Sequence, residues 1–72
     1  MGKRAMLHLH TEAAKLGLNK LLLEVRADNM AAIHLYNRLS YRTVGELYDH
    51  YWDGTRYTNV LIMERSLSDL QA

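Results

Sequence analysis

Apolar residues recur at helical spacing in the first quarter of the chain. Between residues 3 and 16 they lie three or four positions apart, with Ala5 beside them and polar side chains over the remaining surface: Met6, Leu9, Ala13 and Leu16. This spacing predicts an amphipathic helix. Gly17 follows at the position where a left-handed residue commonly ends a helix, and Leu18 can pack back onto the last turn.

A second helical stripe lies in the middle of the chain. Its apolar members are Ala32, Leu35, Tyr36 and Leu39. Either Asp28 or Asn29 can cap the N-terminus, because both side chains can accept a hydrogen bond from a free backbone N–H group of the first turn. The pattern predicts a short helix that buries this stripe.

Three strands are predicted around the helices. Residues 20–27 carry apolar side chains on both faces, which is typical of a buried strand in a parallel position. Residues 43–52 and 56–65 form two further strands, joined by the hairpin signal Asp53-Gly54, and a polar tail follows from Ser66. The order helix, strand, helix, strand, strand predicts an α/β fold with a mixed sheet.

The first helix has the character of a β-α-β crossover, and the strand that such a crossover follows is not among the 72 residues. Residues 1–72 are therefore expected to form a single partial domain. A chain of this length buries only about 60% of its unfolded surface. Because it has no cysteine, it has no disulfide to compensate, and oligomerisation is the device that remains.

Charge and composition exclude several classes of function. The net charge is +1 with both signs interspersed, so the chain lacks the basic stripe of a nucleic-acid-binding protein. No apolar run approaches the ~20 residues of a membrane span, and the N-terminus lacks the apolar region of a secretory signal. The absence of cysteine is compatible with a reducing cytoplasm, where we expect the protein to be.

Residues 25–45 fit the pattern V-x-x-x-N-x-x-A-x-x-L-Y-x-x-x-G-F-x-x-x-G. The matching positions are Val25, Asn29, Ala32, Leu35, Tyr36 and Gly45. Ser40 and Tyr41 stand where the pattern usually has Gly and Phe. This segment resembles the C-terminal half of the GNAT N-acetyltransferases, and the hairpin after it resembles the last two strands of that family. The resemblance extends from Gly2 to about Leu67 and implies half of a GNAT fold.

The resemblance implies direct transfer of an acetyl group from acetyl-CoA to an amine on a small molecule or a peptide. It implies that Tyr36 is the acid that protonates the departing CoA thiolate, since a phenol is protonated at neutral pH. The alternative is a core tyrosine that only fills space. It also implies cofactor contacts at Asn29 and Ala32, although Asn29 can equally be a helix cap.

The start of the chain is similar to the end of the family's cofactor loop. Gly2 stands 15 positions before Gly17, which is about the spacing expected for the last glycine of that loop. Gly2, Lys3, Arg4 and Ala5 would then open a helix N-terminus, which is a ready anion site. The resemblance implies that they contact the CoA pyrophosphate.

The remaining polar and aromatic residues carry weaker indications. His8 and His10 are two positions apart and share no helix face, so no metal site is expected from them, and both are expected to be solvated. His34 is predicted on the outer face of its helix. Candidate general bases lie along the long strand: Glu46, Asp49 and His50. Tyr48, Tyr51, Trp52 and Tyr57 could pack across strands, form a dimer interface or line an acceptor pocket.

Two functions remain open. The chain is either an acetyltransferase whose other half comes from a complementing N-terminal half or a second copy, or a non-catalytic interaction module of GNAT origin. In both cases the strand at residues 20–27 would have an open apolar edge, and such an edge recruits another chain. A homodimer that pairs these edges or exchanges strands is the expected assembly.

Overall fold

The structure, a computed structural model, describes residues 3–70. Two helices and three strands follow one another in the order that the sequence predicts. They are α1 (Lys3–Lys15), β1 (Lys20–Arg26), α2 (Met30–Arg38), β2 (Arg42–Trp52) and β3 (Tyr57–Ser66), followed by a single 3₁₀ turn at Ser68–Leu70. The α/β class and the order of elements are confirmed.

The last strand of the chain lies at the centre of the sheet. The strand order is β1-β3-β2, and β3 pairs antiparallel with both neighbours, so that Met63 lies opposite Leu23 on one side and Thr43 on the other. The expectation of a parallel neighbour for β1 is not met within residues 3–70, where the sheet is antiparallel throughout. The free edge of β1 is the position that such a neighbour would occupy.

Both helices end in the same hydrogen-bonded motif. After α1, Gly17 has φ 83°, its N–H donates to Ala14 O, and the N–H of Leu18 donates to Ala13 O. This is the Schellman arrangement, in which a left-handed residue lets the following amides reach back to the last turn. The predicted C-cap at Gly17 is confirmed.

The buried stripe of α1 differs from the predicted one. Met6 and Ala13 are buried as expected, but His10 and Ala14 complete the stripe, whereas Leu9 and Leu16 are exposed. The prediction that His10 is solvated is wrong, because His10 is completely buried. Position 10 lies one turn after Met6 and one turn before Ala13, and this phase places it on the buried side despite its polar side chain.

One core cluster joins both helices to one face of the sheet. Its buried members come from α1, α2, β1, β3 and the segment between α2 and β2: Met6, Val25, Ile33, Leu39, Tyr41 and Met63. A smaller cluster joins Ala13 and Ala14 to Leu67. Leu67 is fully buried, so the prediction of a polar tail from Ser66 is wrong at this residue.

The β2–β3 hairpin closes on an aspartate turn. Asp53 Oδ1 accepts hydrogen bonds from the backbone N–H groups of Thr55 and Arg56, both at 2.9 Å, and from the Thr55 hydroxyl. These donors stabilise the carboxylate and lower the pKa of Asp53 to about 2. Gly54 has φ 102°, a conformation that favours glycine. The predicted hairpin is confirmed.

Candidate functional site

Tyr36 lies on the inner side of α2, as predicted. Its half-buried ring packs against the main core cluster and meets the ring of Tyr41 edge-on, with 5.5 Å between centroids. Within residues 3–70 its hydroxyl has no hydrogen-bond partner. A fixed ring with an unengaged phenol can donate a proton to a ligand that approaches α2.

The first turn of α2 presents Asn29 and Ala32. Asn29 is the N-cap, and its Oδ1 accepts a hydrogen bond from Ala32 N at 3.2 Å. Of the two predicted caps, Asn29 is therefore the one that the structure selects. The Nδ2 group of Asn29 makes no hydrogen bond within the described part of the chain, and the residue is exposed, so Nδ2 remains able to donate to a ligand.

The N-terminus of α1 is exposed and positively charged. Lys3, Arg4 and Ala5 are all exposed, and the first turn has no acidic residue. The free N–H groups and the helix dipole favour an anion at this end, and the two cations add to that preference. Gly2 lies outside the described residues.

The core cluster brings these two helix regions onto the same face of the sheet. Met6, one position after Ala5, lies in the cluster against which Ala32 and Tyr36 pack. The predicted cofactor-contacting residues are therefore divided between the starts of two helices that share one core, and Tyr36 is one turn further along the second helix.

A shallow depression of about 420 Å³ lies at the free edge of the sheet. It is lined by Leu22, Leu23, Glu24 and Ile62. Glu24 pairs with Ile62 across the β1–β3 ladder, and side chains alternate along a strand, so both lie on the face opposite the helices. Glu24 provides the only carboxylate of this lining, and its Oε1 is 3.7 Å from His50 Nε2.

Sequence reasoning named Glu46, Asp49 and His50 as candidate bases and did not name Glu24. In the structure only His50 approaches the depression. Glu46 accepts a hydrogen bond from Asn59 Nδ2 at 2.9 Å, and Asp49 sits at a left-handed position with φ 49° where the β2–β3 register shifts. A single carboxylate within the apolar run of β1 was the signal that could have drawn attention to Glu24.

A buried polar cluster lies at the C-terminal end of α2. His10 Nε2 is 2.9 Å from the hydroxyl of Tyr41, and both residues are buried. Burial lowers the pKa of His10, and the nearby Arg65 cation lowers it further. Arg65 is also buried; its Nε donates to Leu39 O at 2.9 Å, and its two terminal nitrogens donate to the Asp69 carboxylate. No local pattern in the sequence indicates this cluster.

The aromatic residues of the hairpin pack in pairs. Trp52 and Tyr57 lie across the hairpin with ring centroids 5.0 Å apart, and the guanidinium of Arg26 stacks over Tyr51 at 5.3 Å. All four aromatic side chains, including Tyr48, are exposed. Of the three predicted roles, the structure supports cross-strand packing.

Within residues 3–70, no group of three or more His, Asp or Glu side chains is arranged to hold a metal ion. In the same range no helix has the length and hydropathy needed to cross a membrane.

Comparison with known proteins gives consistent matches. The sequence model of the Acetyltransferase (GNAT) family matches residues 1–41. The ribosomal-protein-S18-alanine N-acetyltransferase of Escherichia coli is 38% identical to this chain and superposes on it with a TM-score of 0.82. The match covers 90% of this chain and 43% of the Escherichia coli protein. No curated protein gives a significant match.

A second similar structure contains ligands. Spermidine N-acetyltransferase from Vibrio cholerae, in complex with CoA and spermine, is 27% identical with a TM-score of 0.80. The match covers 97% of this chain and 44% of that protein. The chain thus spans less than half the length of both solved structures.

Proposed function

Since the chain belongs to the GNAT acetyltransferase family, we propose that it takes part in transfer of an acetyl group from acetyl-CoA to an amine, with Tyr36 as the general acid. Acetyl-CoA supplies the thioester. The neutral amine attacks the thioester carbonyl, the carbon–sulfur bond breaks, and the departing thiolate takes a proton from the Tyr36 hydroxyl.

The observation that supports this proposal best is the state of the Tyr36 phenol. Its ring is held by the core cluster and by Tyr41, while its hydroxyl has no partner among residues 3–70. A tyrosine that served only to fill the core would more commonly satisfy its hydroxyl within the protein. A phenol kept unengaged on a supported ring suits proton donation to a ligand.

We propose that the cofactor contacts come from the two helix N-termini. The exposed amides and cations of Lys3, Arg4 and Ala5 suit the pyrophosphate, and Gly2 would precede them. The exposed side-chain amide of Asn29 suits a carbonyl oxygen of the pantetheine arm. Ala32 has a small side chain that leaves room for the arm beside α2.

Glu24 is the proton acceptor for the amine in this proposal. It is the carboxylate that lines the apolar depression on the face away from the helices. Because β1 is an edge strand, the two faces of the sheet meet at its free edge, and the amine and the thioester would come together there. An amine that enters this depression contacts the Glu24 carboxylate there. Glu24 Oε1 is also 3.7 Å from His50 Nε2. The acceptor is proposed to be a small-molecule or peptide amine, as for the two solved relatives, whose names specify alanine and spermidine substrates.

Replacing Tyr36 by Phe tests the assignment. The variant removes only the hydroxyl, so we expect acetyl-CoA binding within about twofold of wild type and a loss of turnover of about 100-fold, the lower range for a general acid. Tyr48→Phe is the matched control, since Tyr48 is an exposed tyrosine on β2. Turnover is measured with spermidine and with a peptide that begins with alanine.

Binding is measured separately, by the shift of the thermal midpoint on addition of acetyl-CoA. Ligand that binds only the folded state raises the midpoint. Absence of a shift at millimolar acetyl-CoA, or full activity of Tyr36→Phe, would contradict the proposal.

A non-catalytic interaction module is the second candidate. It is favoured by the free edge of β1 and by the exposed Leu22 on the face opposite the helices. A homodimer formed through this edge, without any thermal response to acetyl-CoA, would support the module over the enzyme.

A further inference from the structure

We propose that Tyr41 is a positioning residue for Tyr36, and that the buried hydrogen bond between Tyr41 and His10 fixes it in that role. This inference rests on the proposed function of Tyr36 as the acid. It concerns a position at which this chain departs from the usual family pattern, because Tyr41 stands where that pattern has Phe.

Tyr41 contacts Tyr36 in two independent ways. Its backbone N–H donates to the Tyr36 carbonyl at 2.9 Å. Of the two hydrogen bonds in the Schellman motif that ends α2, this is the one that spans more residues. Its ring meets the Tyr36 ring edge-on at 5.5 Å between centroids. The orientation of Tyr36 therefore depends on where the Tyr41 ring is held.

Among residues 3–70 the hydroxyl of Tyr41 has one hydrogen-bond partner, and this partner lies on α1. His10 Nε2 is 2.9 Å away, and His10 is fully buried on α1. A buried phenolic hydroxyl without a partner would be unfavourable, because it would lose its hydrogen bonds to water without replacement. His10 Nδ1 has no partner of its own within residues 3–70, so the bond to Tyr41 is the only side-chain hydrogen bond that this imidazole makes there.

Arg65 holds the same segment from the other side. Its Nε donates to the carbonyl of Leu39 at 2.9 Å, two residues before Tyr41. The end of α2 is thus held by His10 from α1 and by Arg65 from β3. The arrangement links α1, whose N-terminus is proposed to hold the cofactor phosphates, to the helix that carries the acid.

The test uses three variants of the full chain with 3-fluorotyrosine incorporated at position 36, observed by ¹⁹F NMR. Tyr41→Phe and His10→Leu each remove the hydrogen bond, and His10→Gln keeps a side-chain amide that can hydrogen-bond to the Tyr41 hydroxyl. We expect the Tyr36 signal to shift or broaden in the first two variants and to return towards wild type in His10→Gln.

Ala14→Gly provides the matched control for a purely structural effect. It weakens α1, because glycine is a poor helix former, at a buried position that belongs to a different core cluster from Tyr41. We expect the Tyr36 signal to stay unchanged in this variant. In acetyl transfer, we expect Tyr41→Phe and His10→Leu to lower kcat about 3–10-fold while the Kd for acetyl-CoA changes less than twofold.

The NMR result decides the inference whether or not the chain is active. An unchanged Tyr36 signal in folded Tyr41→Phe and His10→Leu would overturn it, and so would an equal change in Ala14→Gly. If Tyr41→Phe does not fold, the comparison of His10→Leu with His10→Gln decides. A shifted signal in a chain without any acetyl transfer would uphold the positioning role and count against the proposed function.

Discussion

Ser40 ends α2 in a backbone conformation that glycine adopts more easily. Its φ is 71°, and its N–H donates to Asn37 O, so it occupies the left-handed position of the Schellman motif. Gly17 fills the equivalent position after α1 without a steric penalty. At the scale of single residues, the two helix ends have the same geometry and differ in the residue that must adopt it.

Replacing Ser40 by Gly should stabilise the chain. The left-handed conformation costs a residue with a Cβ about 1–2 kcal/mol, and the greater entropy of glycine in the unfolded chain offsets part of this gain. We expect the free energy of unfolding in urea to rise by about 0.5–1 kcal/mol. Ser40→Ala retains the Cβ and should give no increase; an equal gain in Ser40→Ala would contradict the explanation.

The pH dependence of stability should report the burial of His10. Its pKa is lower in the folded chain than the ordinary value of 6.5, because of burial and the Arg65 cation, which the Asp69 carboxylate only partly offsets. Below pH 6.5 the unfolded chain therefore binds more protons than the folded chain, and stability decreases as the pH falls.

Urea unfolding between pH 8 and pH 5 measures this effect. The stability of wild type should be constant at the alkaline end and should fall as the pH drops through about 6.5. His10→Leu should flatten that slope, whereas His34→Gln, on the exposed face of α2, should leave it intact. An unchanged slope in His10→Leu would show that another group is responsible.

At the scale of elements, α2 depends strongly on its cap. It has nine residues, and isolated helices shorter than ~12–15 residues are marginal in water. Asn29 satisfies the N–H of Ala32 at one end, and the Schellman motif satisfies the carbonyls of Asn37 and Tyr36 at the other. The position of Tyr36 therefore rests on terminal hydrogen bonds as well as on core packing.

Asn29→Ala should destabilise the chain by about 1 kcal/mol, because it removes the cap acceptor. Asn29→Asp keeps an acceptor oxygen in place and should restore most of the loss. Asn37→Ala makes the same substitution at an exposed position inside α2 and should change stability by less than about 0.5 kcal/mol. Equal losses from Asn29→Ala and Asn37→Ala in urea unfolding would argue against the cap.

At the scale of the whole molecule, the helices cover only one face of the sheet. The helices pack over Val25 and Met63, while the opposite face carries Leu22, which is 58% exposed, and the depression beside it. An exposed apolar surface next to an unpaired strand edge favours association with another chain. The proposed homodimer would use this surface.

Leu22→Lys should therefore weaken self-association. A charge on the open face disfavours burial against a second copy, so light scattering at micromolar concentration should give a dimer mass for wild type and a monomer mass for the variant. Leu16→Lys makes the same change at an 80% exposed position on α1 and should leave the dimer intact. A monomeric wild type would refute the proposed assembly.

The sequence alone determined the elements, their order and their ends. The helical spacing around Met6 and Leu35, the C-cap at Gly17 and the Asp53-Gly54 turn depend on contacts within a few residues, so local patterns predict them. The same patterns narrowed the N-cap of α2 to Asp28 or Asn29. The Val25–Gly45 pattern also identified the family and drew attention to Tyr36, because that pattern lies within a single helix and its flanks.

Only the tertiary structure decided which side chains meet across the chain. Four features join residues that are far apart in sequence. They are the central position of β3, the burial of His10 and Leu67, the hydrogen bond between His10 and Tyr41, and the place of Glu24 beside His50. A polar residue such as His10 becomes buried when a distant partner satisfies it, and no local spacing records that partner. Long-range pairing therefore fixed the surroundings of the site, while local periodicity fixed the helix that carries it.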